Sequence, residues 1–307
     1  MVAWRFRLFW LLRMALPPAT PTGDAAVTPP VLSTPATGDA GRDVLARVIE
    51  ATKRVARQEI MPRYLNVARH RKSDGSVFTQ ADLAAQEALV RELQAIANVP
   101  VLGEEMGASA QRALWEAGDD GVWCVDPIDG TSNFVNGIPY FAVSVALVRQ
   151  GRPELGVVYD PVADECFYAQ KGGGAFLNGE ELPILPGVPT LREAVAQANL
   201  KRLPRELSLM LGHRPPYASH RNFGASTLEW CYVAAGRFDV YVHGGQKLWD
   251  YAAGVLILQE AGGHVSGLYD DDFWAEDPFQ RSVIAALRGD VFDDWRAWNR
   301  LHLQDRD

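Results

Sequence analysis

The sequence predicts a mixed α+β and α/β protein in which two packed subdomains enclose a cleft. Two observations support this fold class. Short β-rich runs separated by Gly, Pro and Asp fill residues 138–178, as in an antiparallel meander. After the Pro-rich stretch Pro183–Pro189, helical and strand-like segments alternate, as they do in α/β proteins. We therefore expect a first subdomain over residues 43–182 and a second over residues 183–307.

Residues 1–42 differ from the rest of the chain. Met1–Leu16 is rich in Arg and aromatic residues around the short apolar run Leu8–Leu12, and Pro17–Asp39 is rich in Pro, Thr and Ala. A leader peptide and a disordered extension, or a start codon placed too early, are both compatible with this composition. The short, charge-broken apolar run favours the extension.

Apolar periodicity predicts the elements of the first half in order. Helical spacings indicate one helix from Asp43 to about Ile60 and another from Ala81 to Ala97. Apolar runs that end at turns indicate buried strands at Val99–Leu102 and Gly121–Val125. The meander supplies four further strands, Tyr140–Val148, Leu155–Tyr159, Glu165–Ala169 and Ala175–Leu177. We interpret the triple glycine at 172–174, between the last two, as a turn rather than a phosphate cradle.

The second half alternates helices with strands. We expect helices at Ser226–Ala235 and Leu248–Ala261, with the pair Gly262-Gly263 ending the latter. The remaining segments are two strands and a terminal helix, at Phe238–Val242, Ser282–Leu287 and Val291–Leu303.

Composition limits the function. The 307 residues are 48% hydrophobic and 22% charged, close to the averages for soluble globular enzymes. The formal net charge of −8 argues against a nucleic-acid partner, because nucleic-acid-binding domains usually present a basic face. An acidic protein that handles phosphate needs a positive charge at its site, and a bound divalent cation would supply one.

Cysteine and histidine usage argues against disulfide and zinc chemistry. Cys124, Cys166 and Cys231 are far apart and outside any CxxC spacing, and the six histidines form no HExxH pattern. A reducing compartment, the cytoplasm, is the simplest interpretation. No segment approaches the roughly 20 apolar residues needed to cross a bilayer, so we expect no membrane association.

The sharpest chemical signal is Asp126-Pro127-Ile128-Asp129-Gly130-Thr131, directly after the strand Gly121–Val125. Asp126 at the strand end and Asp129 in the turn can converge on one point. Two carboxylates that close repel each other unless a cation or a proton lies between them. Such hard oxygen ligands suit Mg²⁺. Gly130 permits close backbone approach, and the nearby amides would point at an anion.

Two further acidic positions are candidate metal ligands. Glu104-Glu105 follows Val99–Leu102 at another strand end, which makes a site role as plausible as a solvated loop. Asp250 lies in the first turn of a helix that is apolar nearly all round and therefore buried. A helix N-terminus favours a negative charge by about 0.3–1 kcal/mol. Burying an ionised carboxylate costs more than that, so Asp250 needs a strong partner, such as a metal.

Two Ser/Thr-to-acid spacings resemble helix caps. Thr79 and Asp82 have the capping-box spacing before the second helix, and Ser226 and Glu229 have it at the start of the third. From spacing alone, we interpret both pairs as caps.

Together these residues resemble the inositol monophosphatase family of Mg²⁺-dependent, lithium-sensitive phosphatases. The resemblance runs from about Asp43 to Leu303. It rests on three motifs in the same order, Gly103-Glu104-Glu105, Asp126-Pro127-Ile128-Asp129-Gly130-Thr131, and Trp249-Asp250-Tyr251-Ala252-Ala253-Gly254 followed by Glu260-Ala261-Gly262-Gly263.

The resemblance implies a layered αβαβα sandwich with the site between its halves, and two or three Mg²⁺ ions. One ion would be held by Glu104, Asp126 and the carbonyl of Ile128. A second would be held by Asp126, Asp129 and Asp250.

It also implies the catalytic residues. Thr131 corresponds to the family's water-activating threonine and Asp82 to the carboxylate beside it. Thr131, with Asp82 or Glu104, would take a proton from the water that attacks phosphorus. The amides of Gly130 and Thr131 would hold the phosphate.

The departures from the family concern the substrate. The position of the sugar-binding glutamate of inositol-phosphate enzymes falls on His243, Gly224-Ala225-Ser226 replaces Gly-Ser/Thr-Ala, and Pro186–Arg221 is short for the family. The substrate side would contain Gly130, Thr131, Asp129, His243 and Asp250. Inositol 1-phosphate, histidinol phosphate, fructose 1,6-bisphosphate and 3′-phosphoadenosine 5′-phosphate all remain candidates.

Two functions of other classes remain as alternatives. A two-metal phosphodiesterase or nuclease would need a basic groove, which the acidic composition disfavours. A regulatory or binding member of the fold without catalysis would be expected to lack a metal ligand, yet every matched ligand position is filled. A homodimer is possible, because family members are often dimers.

Overall fold

A computed structural model of the chain describes residues 39–66, 70–71, 77–118 and 120–303. The chain divides into two units, residues 1–33 and residues 34–307, and all described residues lie in the second. The extension expected over residues 1–42 therefore lies outside the described residues, except for its last four. Those four begin the first helix, which starts at Asp39 rather than at Asp43.

A seven-stranded sheet forms the first β layer. Its neighbours are antiparallel except for the first pair, which is parallel. In spatial order its strands are β3 (Val101–Gly103), β4 (Val122–Asp129), β5 (Ala142–Arg149), β6 (Arg152–Asp160), β7 (Glu165–Gln170), β8 (Ala175–Leu177) and β9 (Glu180–Glu181). A separate two-stranded ribbon joins β1 (His70–Arg71) to β2 (Val77–Phe78).

Two amphipathic helices cover the outer face of this sheet. They are α1 (Asp39–Val55), which continues into a π-helical turn at Ala56–Ile60 and a 3-10 turn at Met61–Arg63, and α2 (Gln80–Ile96). Apolar residues of both helices pack with Trp123 and Val125 of β4 in one buried cluster. A further helix, α3 (Ala108–Glu116), packs Leu114 and Trp115 against the cluster of the middle layer and was not predicted, because it is short and only one of its residues is buried.

A helical layer lies between the two sheets. It consists of α6 (Ser226–Ala234) and α7 (Leu248–Glu260), whose side chains join residues of both sheets in the largest buried cluster. The short helices α4 (Thr131–Asn136) and α5 (Arg205–His213) precede them in the chain. Burial on all sides explains why α6 and α7 have apolar residues nearly all round rather than on one stripe.

The second β layer has five strands in the order β11-β10-β12-β14-β13. The face of this sheet that points away from the middle helices packs on α5 and α8 (Gly289–Leu301) around Trp295. The strands are β10 (Val195–Ala198), β11 (Ser219–Arg221), β12 (Val240–Gln246), β13 (His264–Ser266) and β14 (Arg281–Ala286). Helix, sheet, helix, sheet and helix thus follow in layers, which confirms the predicted fold class. Among the described helices, none is both long enough and apolar enough to cross a bilayer.

Local predictions succeed where the residues that specify a structure are neighbours in sequence. The cap of α2 is confirmed, since Thr79 and Asp82 exchange capping-box hydrogen bonds. The glycine turn is confirmed by positive φ angles at Gly172 and Gly174.

The division into subdomains stays a prediction. The first sheet ends at Glu181 and the second begins at Val195, but the middle helices pack on both sheets.

The cap expected from Ser226 and Glu229 is wrong. The N-cap residue of α6 is Ala225, which makes no side-chain cap, and Ser226 is already helical. Glu229 is almost fully buried and accepts a hydrogen bond from the Gly224 amide at 3.0 Å. The spacing suited a capping box, but the chain enters the helix one residue earlier than the spacing assumes.

The close approach of α6 and α7 requires glycine at position 254. A Cβ there would overlap Cβ of Trp230 and lie 2.7 Å from its Cγ. In a helix with free space, Gly→Ala is stabilising by about 0.8–1 kcal/mol. We expect Gly254→Ala to lower the free energy of unfolding by about 1–3 kcal/mol instead, because overpacking a core costs that much.

Gly212 of α5 is the matched control, because a Cβ there would meet nothing within 4 Å. Chemical denaturation of both variants measures the difference, and Gly212→Ala should be neutral or stabilising. Equal stabilities for Gly254→Ala and Gly212→Ala would contradict the packing described for the middle layer.

Candidate metal and phosphate site

Strand β4 carries the central acidic residues of the site, and all eight of its residues are buried. In a regular strand, residues three apart point to opposite faces of the sheet. Here the register changes, because Asp126 lies opposite Ser144 while Asp129 lies opposite Ala142. Three residues of β4 therefore span two of β5, which is a β-bulge. The bulge allows both carboxylates to reach the same point.

Asp250 completes a group of three carboxylates. One oxygen from each of Asp126, Asp129 and Asp250 lies within 4.8 Å of the others. Asp250 is in the first turn of α7, where its Oδ2 accepts a hydrogen bond from the Lys247 amide at 2.8 Å. Asp126 is 1% exposed and Asp129 8% exposed, whereas Asp250 is only partly buried, less than its sequence context predicts. Residues separated by 124 positions thus meet at one point.

Burial and mutual repulsion disfavour ionisation of these acids. Burial raises the pKa of Asp126 well above its usual range, and the charges of Glu104, Asp129 and Asp250 raise it further. Burial and the charge of Asp129 likewise raise the pKa of Asp250. The pKa of Asp129 rises only to about 6, because hydrogen bonds from Thr227 oppose the effect of burial.

The donor set is suitable for a hard divalent cation. In the described part of the chain, no Lys or Arg forms an ion pair with the three carboxylates (Asp126, Asp129 and Asp250). Carboxylate oxygens are the ligands that Mg²⁺ prefers in proteins, and these three converge on one point. A cation at this point would relieve the repulsion that raises the pKa of each acid.

Glu104 and Ile128 lie beside the three carboxylates. Glu104 follows β3, and its amide donates to the Val125 carbonyl at 3.3 Å. It is partly buried, and its charge raises the pKa of Asp126, but its oxygens are not in the 4.8 Å group. The buried Ile128 accepts a hydrogen bond on its carbonyl oxygen from Thr131 Oγ1 at 3.0 Å.

Thr131 and Asp82 are joined by a side-chain contact. Thr131 Oγ1 lies 3.4 Å from Asp82 Oδ1, which is a second acceptor, besides the Ile128 carbonyl, for its one hydroxyl proton. The other oxygen of Asp82, Oδ2, accepts hydrogen bonds from the amide of Thr79 at 2.7 Å and its hydroxyl at 2.6 Å. The helix cap thus orients Asp82 and leaves Oδ1 towards Thr131. Burial raises the pKa of Asp82 to about 7.

Gly130 forms the turn between β4 and α4. Its φ of +89° is in the left-handed region, where glycine is favoured. A Cβ would also lie 3.1 Å from both Ala225 Cβ and the Tyr140 carbonyl oxygen. The turn starts α4 at Thr131, so the first amides of this short helix have no intrahelical acceptor.

His243 lies on β12 and is 4% exposed. Burial, together with the charge of Arg202, lowers its pKa to about 3, so the ring is neutral at physiological pH. Its Nδ1 lies 3.1 Å from the Gly245 amide and accepts that hydrogen bond, which assigns the ring proton to Nε2. The ring could therefore offer a substrate a donor, where a glutamate would offer an acceptor. The structure does not place His243 in the carboxylate group.

Sequence reasoning missed Thr227. This residue of α6 binds the carboxylate of Asp129 through both its amide and its hydroxyl. The two residues are 98 positions apart, so no local spacing connects them. The only available signal was a run of small polar residues, Ser226-Thr227, at a helix start.

Comparison with known proteins shows relatives over most of the chain. A curated inositol-1-monophosphatase of Caulobacter vibrioides is 35% identical over 236 residues, which are 72% of this chain and 86% of that protein. A Nus factor SuhB of Pasteurella multocida is 38% identical over 200 residues, or 63% of this chain and 73% of that protein.

Solved structures share the layered fold described above. An IMPase from Thermotoga maritima superposes with a TM-score of 0.71 at 29% identity, covering 84% of this chain and 97% of that one. The inositol monophosphatase family profile matches residues 42–305, which include every residue of the site. The chain belongs to the inositol monophosphatase family.

Proposed function

We propose that this protein is a Mg²⁺-dependent phosphatase that hydrolyses a small phosphate monoester resembling inositol 1-phosphate. The observation that carries the proposal is the convergence of Asp126, Asp129 and Asp250 within 4.8 Å. Thr131 follows Asp129 by two residues, and its Oγ1 lies 3.4 Å from Asp82, whose charge contributes to the raised pKa of Asp126. Membership of the inositol monophosphatase family supports phosphatase chemistry, and the relative named inositol-1-monophosphatase supports the substrate class.

The metal ligands in this proposal are Glu104, Asp126, the Ile128 carbonyl, Asp129 and Asp250. When bound, two or three Mg²⁺ ions would neutralise phosphate charge and make a coordinated water more acidic. The carboxylates are negatively charged, so without a bound cation they would repel the phosphate. Phosphoryl transfer depends mainly on positioning and charge neutralisation, so few other groups are needed.

Proton removal is assigned to Asp82 through Thr131. The hydroxyl of Thr131 can take a proton from water only if it can pass its own proton to an acceptor. Asp82 Oδ1 provides that acceptor, and a pKa of about 7 allows it to gain and lose a proton near neutral pH. Glu104 is the alternative acceptor.

Substrate contacts complete the proposal. The amides of Gly130 and Thr131 at the start of α4 would hold the phosphate oxygens. Asp129, Asp250 and His243 would face the rest of the substrate. Histidinol phosphate, fructose 1,6-bisphosphate and 3′-phosphoadenosine 5′-phosphate remain alternative substrates, since a shared fold does not select among them.

The setting of the reaction is also part of the proposal. Cys124, Cys166 and Cys231 are free and buried, which suits action in the reducing cytoplasm. The partner we propose is the phosphorylated metabolite, with no nucleic acid or membrane, and a homodimer is possible.

A regulatory role is the second candidate function. Its support is the relative named Nus factor SuhB. A chain that only binds a partner would need neither the Thr131–Asp82 pair nor a cation at the carboxylates. Catalytic turnover therefore distinguishes the two candidates.

Phosphate release from a panel of esters tests the proposal. We expect turnover of at least one of inositol 1-phosphate, histidinol phosphate, fructose 1,6-bisphosphate and 3′-phosphoadenosine 5′-phosphate with Mg²⁺. EDTA should abolish the turnover, and Li⁺ should inhibit it. Release from none of them, by protein that still binds Mg²⁺, would favour the regulatory candidate.

Replacing one central carboxylate should remove activity without unfolding the protein. Asp126→Asn keeps the shape of the side chain but cannot supply the anionic oxygen that a metal ligand needs, so it should abolish turnover. In metal-free buffer the variant should be at least as thermally stable as the wild type, because an amide needs neither the proton nor the cation that the crowded carboxylate requires.

Asp294→Asn on the exposed face of α8 is the control, and it should retain full activity. The readouts are phosphate release and the melting temperature with and without Mg²⁺. Wild-type activity in Asp126→Asn would refute the site, and so would loss of its fold.

A further inference from the structure

Thr227 makes an unusually close contact with the proposed metal site. Its amide nitrogen lies 2.6 Å and its Oγ1 2.7 Å from the same oxygen of Asp129, Oδ2. The side chain is fully buried at the second position of α6. Hydrogen bonds to a carboxylate are charge-assisted and therefore strong, and two of them on one oxygen restrict its rotation.

Capping of α6 explains only one of these bonds. Ala225 at the N-cap offers no side-chain oxygen, so the Asp129 carboxylate takes the role of the missing cap by accepting the Thr227 amide. The hydroxyl is not part of the helix backbone, and the cap would exist without it. Its donation to the same oxygen is a second restraint on Asp129 that the end of the helix does not require.

The contact also joins two layers of the fold. Asp129 ends β4 in the seven-stranded sheet, whereas α6 belongs to the helical layer between the sheets. Oδ2 is therefore fixed from the α6 side. Oδ1 remains as the oxygen to which neither Thr227 donor is directed.

We propose that Thr227 is a positioning residue, whose hydroxyl holds the Asp129 carboxylate in the orientation in which it would bind Mg²⁺. This inference rests on the proposed function. Thr227 itself does not contact the metal or the substrate. Residues that hold a metal ligand in place typically contribute 10–100-fold to metal affinity.

Two substitutions separate the hydroxyl from the shape of the side chain. Thr227→Val removes the hydroxyl and keeps the branched shape, whereas Thr227→Ser keeps the hydroxyl. Calorimetric titration of metal-free protein with Mg²⁺ should give about tenfold weaker binding for Thr227→Val. Thr227→Ser should bind within about twofold of the wild type. Thr227→Ala provides a second hydroxyl-free variant if Thr227→Val does not fold.

The Mg²⁺ affinities of these variants and of the wild type test the positioning role and the proposed function separately. Wild-type Mg²⁺ affinity in the hydroxyl-free variants would overturn the positioning role and leave the proposed function intact. Tighter binding in those variants would also overturn it, because the hydroxyl would then compete with the metal for Asp129. Absence of Mg²⁺ binding to the wild type would refute the proposed function, and the positioning role with it.

The melting temperature without metal distinguishes a purely structural role. If Thr227 only stabilised α6, Thr227→Val would melt earlier than Thr227→Ser while both bound Mg²⁺ equally. We expect the variants to differ in Mg²⁺ affinity and in the Mg²⁺ concentration needed for half-maximal phosphate release.

Discussion

Repulsion among three carboxylates, two of them buried and one partly buried, is the constraint on which the site depends. Asp126, Asp129 and Asp250 are held together by a bulge in β4 and by the first turn of α7, not by attraction to one another. Burial and like charge raise the pKa of all three. The arrangement is therefore favourable only with protons or a cation among the oxygens, and the rest of the fold must enforce it.

The middle helical layer provides that enforcement. Trp230 and Gly254 pack α6 against α7 without space for one extra methyl group, which fixes the helix that carries Asp250. The start of α6 binds Asp129 through Thr227. Because both helices also pack on the two sheets, the geometry of the carboxylates depends on the whole layered core.

The fold class and the acidic motif could be predicted because their signals are local. Alternation of strands and helices predicted two packed subdomains, the resemblance to the family implied their layers, and one six-residue motif contained Asp126, Asp129 and Thr131. The contact of Thr227 with Asp129 could not be predicted, because it joins residues 98 positions apart. Helix α3 was missed because it is only nine residues long and buries only one of them, so it offers few positions for a periodic pattern. The cap predicted from Ser226 failed because spacing alone does not fix where a helix begins.

The most direct test of this account is the free energy of unfolding of metal-free protein at pH 6.5 and at pH 8. Burial raises the pKa of Asp82 to about 7 and that of Asp129 to about 6, so the folded state binds these protons more tightly than the unfolded state. Stability should fall by roughly 1 kcal/mol as pH rises through this range, most of it from Asp82. Saturating Mg²⁺ should restore it, with the larger gain at pH 8. Stability that is unchanged or increases with pH, or that Mg²⁺ does not alter, would contradict the account.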